Sequence, residues 1–427
     1  MPVSEIMQVH IDALGAEGHG LARLPDGAAL FVAGALPGEE VTVLPTGDGR
    51  ARLEKILHPS ADRVDPPCDL FGRCGGCSVQ YMSLPLSLRW KTDTVLRALH
   101  GAGYTDPIPV TSWQGAPLTR RRVDLAFART EQGMVIGLHR KRGEVVDMTQ
   151  CHVLEPALFA LLPLLRPMLH SLPAIRRGGD LQINMLDSGP DLLLATDGPL
   201  GPDDRRILAQ FAASQRIPRI SWRPQGSHDI PETAAQTGGV WHEFSGVRTA
   251  PPPGAFLQPS RAGEDAIRCA ILEALPTKRL KGDIIELYAG CGTLSFALAE
   301  RGRVMAHEGD AAAFACLKQA CGGTRVQPFH RDLNRQPVMG AVLAKAGAVV
   351  LDPPHAGAGA QLHQITDGKP LNVIYVSCNP TALRRDATAL RQAGYRLDRL
   401  TVIDQFLWST EVESVCLFTR PAPPRRR

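Results

Sequence analysis

The chain has 427 residues, 44% of them hydrophobic, and a net charge of +4. It is too long for one ordinary domain, apolar enough for sizeable cores, and too balanced in charge for composition to name a partner. The most apolar stretch, 157–169, is broken by Pro163, Arg166 and Pro167 and is too short to span a bilayer, and the first residues lack the basic start and apolar core of a secretory leader. A cytoplasmic protein is expected, in which ten cysteines need an explanation other than structural disulfides.

In chain order, Met7, Val9 and Ile11 alternate with Gln8, His10 and Asp12, the period of a half-buried strand. Gly15, Gly18 and Gly20 supply turns, and strand-like runs follow at Ala29–Val32, Glu40–Leu44 and Ala51–Leu57. This spacing predicts a small β-barrel, a module that serves nucleic-acid binding or structural ends about equally often. Next comes a loop with Cys68, Cys74 and Cys77 as C-x5-C-x2-C, threaded by Gly72, Gly75 and Gly76. Three thiols so spaced can converge on a metal while the glycines let the chain wrap it. Cys151, the only other cysteine before residue 269, is the candidate for a fourth ligand. Zinc normally uses two C-x2-C pairs, so a [4Fe–4S] cluster suits this set better; inert free thiols are the alternative.

The spacing of Leu84, Leu86, Leu88, Val95, Leu96 and Leu99 predicts a helix over 83–103. Arg120, Arg121 and Arg122 form a basic run, suited to phosphates or simply a solvated face. Mixed α and β character extends over 112–249, and Pro251–Pro253 mark a boundary. Beyond it, apolar runs at Asp283–Tyr288, Arg303–His307, Ala348–Leu351 and Val373–Ser377 alternate with helical stretches, predicting a doubly wound parallel sheet. The tail RPAPPRRR reads as a solvated end.

The first of those runs leads into Ala289-Gly290-Cys291-Gly292-Thr293 and an apolar helix, so the glycines stand at a tight strand-to-helix turn. Ser295 takes the place of the third glycine of the dinucleotide fingerprint, which disfavours NAD. Glu308 closes the next strand, where a carboxylate can take ribose hydroxyls. That order of features points to S-adenosylmethionine. Asp332, after a third strand, suits an adenine amine or a loop cap. Asp352-Pro353-Pro354 is used by methyltransferases acting on exocyclic amines, has a relative in some carbon methyltransferases, and is otherwise a turn. Cys378, in Ser377-Cys378-Asn379-Pro380, reaches the same sheet edge as a nucleophile or as an inert thiol. Glu411 and Glu413, two apart on an expected strand, share a face, and their repulsion would raise one pKa toward that of a general base.

The segments CDLFGRCGGC, RRRVDLAF, VDMTQC, FLQPS, LYAGCGTLSF, LDPPHAGA, IYVSCNP and VESVCLF, in this order, resemble the bacterial RNA 5-methyluridine (uracil-C5) methyltransferase family, in its iron–sulfur-containing 23S rRNA branch. The resemblance implies a TRAM-like β-barrel over 1–61, an α+β central iron–sulfur domain over 62–82 and 113–250, and an α/β class I methyltransferase domain over 83–112 and 251–427. It implies Cys378 as nucleophile and Glu413 as the base that removes the C5 proton. Gln258, Tyr288, Glu308 and Asp352 would meet the methyl donor or the target base, with Gly290 and Asp332 completing the donor site. Cys68, Cys74, Cys77 and Cys151 would hold a [4Fe–4S] cluster. The chain departs from the family at Ser260 (usually Asn), His355 (usually Arg) and Glu411 (often His). The implied partner is structured RNA, 23S rRNA ahead of tRNA, because tRNA members commonly lack both the cysteine loop and the barrel; the target uridine would be flipped, the protein a monomer. Two rival functions are an RNA amino-methyltransferase using Asp352-Pro353-Pro354, in which Cys378 is dispensable, and a non-catalytic iron–sulfur RNA-binding protein.

Overall fold

The computed structural model describes residues 5–140, 143–277 and 280–421; most of the Pro/Arg tail lies outside them. The first six strands, between Met7 and His58, form one sheet rolled around Ile11, Ala22, Leu30, Val32, Val41 and Val43. Strand Ala29–Val32 buries Leu30 and Val32 and exposes Ala29 and Phe31, the period-two pattern of a strand with one wet face. Met7 is exposed although it shares the alternation of Val9 and Ile11.

Helix Leu84–Gly101 starts where Ser83 Oγ accepts the Leu86 N–H at 3.2 Å, with Pro85 in the first turn. Its buried face is Ser87, Trp90, Lys91, Val95 and Leu99, whereas Leu84, Leu86 and Leu88 are only half-buried. The leucines of the first turns therefore do not mark the inward face, whereas Val95 and Leu99 do. The Trp90 indole N–H donates to Gly15 O at 2.9 Å, tying this helix to the barrel.

A second, seven-stranded sheet spans Arg122 to Gln236. Helices Leu162–His170 and Pro202–Gln215 contribute to a core that includes Leu125, Phe127, Ile136, Leu165, Ile183 and Leu208. The third sheet has eight strands: β1 (Val110–Gln114), β2 (Ile284–Leu287), β3 (Val304–Glu308), β4 (Val326–His330), β5 (Ala348–Leu351), β6 (Asn372–Ser377), β7 (Arg396–Asp404) and β8 (Glu413–Thr419). Their spatial order is β4-β3-β2-β5-β6-β8-β7-β1, with β2 to β6 parallel and β8 inserted antiparallel between β6 and β7. Every residue of β2 and β5 is buried, as sheets covered on both faces require. Chain order reverses between β2 and β5, so the carboxyl ends of these strands form the crevice where such sheets take ligands. The edge strand β1 precedes the second sheet in sequence yet pairs parallel with β7. Among the described residues no helix is long and apolar enough to cross a membrane.

Candidate active site

The turn after β2 is built around left-handed backbone at Tyr288 (φ 66°), Gly290 (φ 57°) and Gly292 (φ 100°). A tyrosine in that region is uncommon and costs energy, and such strain collects at functional turns; its hydroxyl donates to Ala358 O at 3.0 Å. A Cβ on Gly292 would meet the Phe296 ring, whereas one on Gly290 would meet nothing within 4 Å. Gly290 is thus demanded by its backbone angle, and the space above it is open. Its N–H donates to Glu308 Oε2 at 2.7 Å, and Asp310 N–H donates to Glu308 Oε1 at 2.6 Å, which fixes the carboxylate at the end of β3 with further lone pairs free. Asp332 is exposed beyond β4, accepts the Asn334 N–H at 3.0 Å and pairs with Arg335 at 3.5 Å.

Across the crevice, register brings the reactive side chains together. Ser377 of β6 pairs with Ser414 of β8, which sets Cys378 opposite Glu413, and Asp352 follows β5 alongside. Glu413 is 4% exposed and Asp352 half-buried. Burial pushes the Asp352 carboxyl up to about 6. Burial and the Asp352 charge push Glu413 well above the carboxylate range. Burial, then Glu413 and Asp352, push the Cys378 thiol up to about 12. Three groups that become negative on ionising therefore oppose one another's charge. Asn379 caps helix Pro380–Gln392 through Oδ1, while its Nδ2 donates to His355 O at 2.9 Å, which secures the loop carrying Cys378.

Glu411 and Glu413 do not share a strand face: β8 begins at Glu413, and Glu411 lies exposed in the loop before it. Nor is the arginine run a solvated face throughout, since its middle residue is buried. Arg121 is 1% exposed and donates to Glu264 Oε2 at 2.6 Å and to Gln258 O at 3.1 Å, while its backbone N–H donates to Pro259 O at 2.8 Å. Arg120 lies over the Phe406 ring and Arg122 over that of Phe256. Arg121 thus clamps the backbone of Gln258 from the second sheet. Ser260 caps helix Arg261–Ala274, its Oγ accepting the Gly263 N–H at 3.0 Å.

Two further polar groups near the crevice are not among the residues the sequence singled out. Gln405, 6% exposed, donates through Nε2 to Gln258 Oε1 at 2.9 Å and to Glu413 Oε2 at 3.4 Å. Glu286, buried in β2, accepts from Ser295 Oγ and is pushed up to about 8, mainly by burial. Glu286 sits in an apolar strand run that hides a carboxylate; only its pairing with Ser295, where a glycine was expected, hints at it.

Cys68, Cys74, Cys77 and Cys151 line one pocket with Arg120, Gln80 and Leu407. Burial and the other thiols push Cys77 up to about 11. Among the described residues no group of three or more His, Cys, Asp or Glu is arranged to hold a metal ion. The thiols share a pocket without forming a closed ligand set.

Strand order and crevice define a class I methyltransferase fold, and the chain superposes on the Pyrococcus abyssi tRNA (uracil-54, C5)-methyltransferase in complex with S-adenosyl-L-homocysteine with a TM-score of 0.73 at 21% identity, covering 97% of this chain and all of the other. The tRNA (Uracil-5-)-methyltransferase family model matches residues 251–421 and the TRAM domain model residues 3–44. An uncharacterized RNA methyltransferase of Mesorhizobium japonicum is 37% identical over 98% of both chains, and the 23S rRNA (uracil(1939)-C(5))-methyltransferase RlmD of Cronobacter sakazakii is 35% identical over 97% of this chain and 96% of its own. The chain belongs to the RNA uracil-C5 methyltransferase family, enzymes that use S-adenosylmethionine as methyl donor.

Proposed function

We propose that the chain forms 5-methyluridine in 23S rRNA through a covalent Cys378 adduct, acting as a cytoplasmic monomer. The opposition of Cys378 and Glu413 across the β6–β8 register carries this reading, and the RlmD relatives support 23S rRNA over tRNA. Uracil C5 has no free electron pair. The Cys378 thiol loses its proton to solvent and the thiolate adds to C6, so the ring's electrons gather at C5 and take the methyl group from the sulfonium, releasing S-adenosylhomocysteine. Glu413 then removes the C5 proton, the C6–S bond breaks, and the thiolate is regenerated. Asp352, Glu308, Tyr288, Gly290 and Asp332 would line the donor side; Gln258, which the resemblance leaves to the donor or the target base, is assigned to the base because Gln405 ties its amide to Glu413. The donor's sulfonium supplies positive charge where Asp352 and Glu413 otherwise repel.

A [4Fe–4S] cluster on Cys68, Cys74, Cys77 and Cys151 belongs to the same reading. Four thiols around one pocket support the fit, and their mutual repulsion is what a bound cation relieves. The cluster would cross-link the cysteine loop to the second sheet, a structural role, since methyl transfer moves no net electrons. The same reading divides the chain at 61, 82, 112 and 250, although β1 (Val110–Gln114) continues two residues past the third of these.

The test is 5-fluorouridine-substituted 23S rRNA transcript with donor present, run on a denaturing gel. Fluorine cannot leave as a proton does, so wild type yields a shifted band and Cys378→Ala none. Methyl transfer persisting in Cys378→Ala would instead favour amine methylation.

A further inference from the structure

Addition to C6 followed by methylation at C5 is chemically open to cytosine as well as uracil, so the choice of base rests on hydrogen-bonding groups. Gln258 is the candidate base-reading side chain under the function proposed above, and an amide can present either a carbonyl or an NH2 group. We propose that Gln405 is a positioning residue that holds the Gln258 amide with its NH2 group toward the target base, and thereby sets the preference for uracil over cytosine.

The geometry is specific. Gln405 Nε2 carries two hydrogens and has two oxygen partners, Gln258 Oε1 at 2.9 Å and Glu413 Oε2 at 3.4 Å. Turned the other way, its carbonyl would face the Gln258 carbonyl oxygen. With Gln258 Oε1 engaged, the Gln258 NH2 is the end left to address a ligand. It donates to the carbonyl at position 4 of uracil, and meets a second donor in the amino group of cytosine.

The fold holds Gln405 from several sides. It directly follows β7, whose last residue, Asp404, is pinned by buried Lys91 at 2.6 Å and by Gln114 at 3.0 Å. Lys91 also donates to Phe406 O at 2.9 Å. Opposite, a Cβ on Gly263 would stand 2.3 Å from Gln405 Oε1 and 2.8 Å from its Cβ, so the bare Gly263 backbone is what admits the side chain. Arg121 holds the Gln258 backbone still, leaving the amide rotation as the freedom that Gln405 removes.

The experiment uses full-length protein, tritiated S-adenosylmethionine, and 23S rRNA transcripts carrying uridine or cytidine at the position wild type modifies. In Gln405→Leu the uridine-to-cytidine rate ratio should fall about 10- to 100-fold, the scale of one buried hydrogen bond reversed. S-adenosylhomocysteine affinity should hold, which reports a folded donor site. A rate loss equal on both transcripts, leaving the ratio unchanged, overturns the proposal. Should Gln405→Leu fail to bind S-adenosylhomocysteine, Gly263→Ala displaces Gln405 without removing it and must lower the same ratio; an unchanged ratio there also overturns it. A wild type that methylates neither transcript sinks the functional reading, and this proposal with it.

Discussion

Cys378 and Glu413 sit opposite each other on neighbouring strands, one just past the end of β6 and the other opening β8, because Ser377 pairs with Ser414. A one-residue slip would turn every side chain of β8 to the other face, so this register positions Glu413 without help from loop geometry. The two residues should fail differently. Cys378→Ala should form no adduct, whereas Glu413→Gln should add and methylate but stall before elimination. On ordinary uridine RNA, Glu413→Gln should accumulate a denaturation-resistant protein–RNA band with turnover reduced about 10²- to 10⁴-fold; absence of the band would remove Glu413 from the proton-abstraction step.

Rate should climb with pH. In the proposed mechanism Glu413 acts only when deprotonated and Cys378 only as thiolate, and burial, with the neighbouring carboxylate charges, raises both above their ordinary values. The kcat/KM profile, which reports the free enzyme, should still be rising between pH 6 and about 8.5. A plateau already reached at pH 5 would contradict the shared-charge crevice.

Glu286 makes a stability prediction of opposite sense to the usual carboxylate. Its folded pKa of about 8 lies above the ordinary 4.5, so the folded state binds the proton more tightly than the unfolded chain. Its contribution is complete below about 4.5 and is lost as pH rises through about 8, at roughly 1.4 kcal/mol per unit. Urea unfolding of Glu286→Gln should show a shallower decline than wild type over pH 5 to 8; equal slopes would mean Glu286 is ionised in the fold.

Lys91 and Asp404 form an ion pair with 1% and 0% of their side chains exposed. Lys91→Met should cost about 3–5 kcal/mol by leaving the Asp404 charge buried and unpaired. Urea unfolding should also find that Asp404→Asn added to Lys91→Met recovers part of the loss; a strictly additive double variant would show the pair to be uncoupled.

Under the proposed cluster, protein purified without oxygen should carry about four irons per chain. Cys77→Ser and Cys151→Ser should lower iron content and weaken RNA binding while leaving S-adenosylhomocysteine affinity intact. Full RNA affinity in iron-free protein would sink the structural role of the cluster.

Much of the methyltransferase sheet was legible because parallel strands buried on both faces leave continuous apolar runs; Ala348–Leu351 appears with the bounds its composition suggests. The glycine turn and the carboxylate ending β3 were equally readable, since each depends on neighbours in sequence. The helix over 84–101 was legible as a helix but only in its second half, at Val95 and Leu99, in its facing. Lys91 is inward only because Asp404 waits for it, and no local pattern encodes a partner that distant. Gln405 escaped for the same reason: an isolated glutamine gains meaning only when Gln258 and Glu413 converge on it. The arginine run misled because a triplet of cations on a strand looks solvated until Glu264 and the Gln258 carbonyl are brought to Arg121.

The edge strand β1 and the helix before it are synthesised ahead of the whole second sheet, yet they complete the third. During translation this hairpin-sized piece must wait, with Lys91 unpaired, while nearly three hundred further residues emerge. A ribosome-bound chain halted near residue 395 would hold an unclosed sheet and an unsheltered cation. Splitting the gene at the Pro251–Pro253 boundary should therefore yield two insoluble halves rather than a portable catalytic domain, and a transplantable one would need residues 83–114 grafted onto its front.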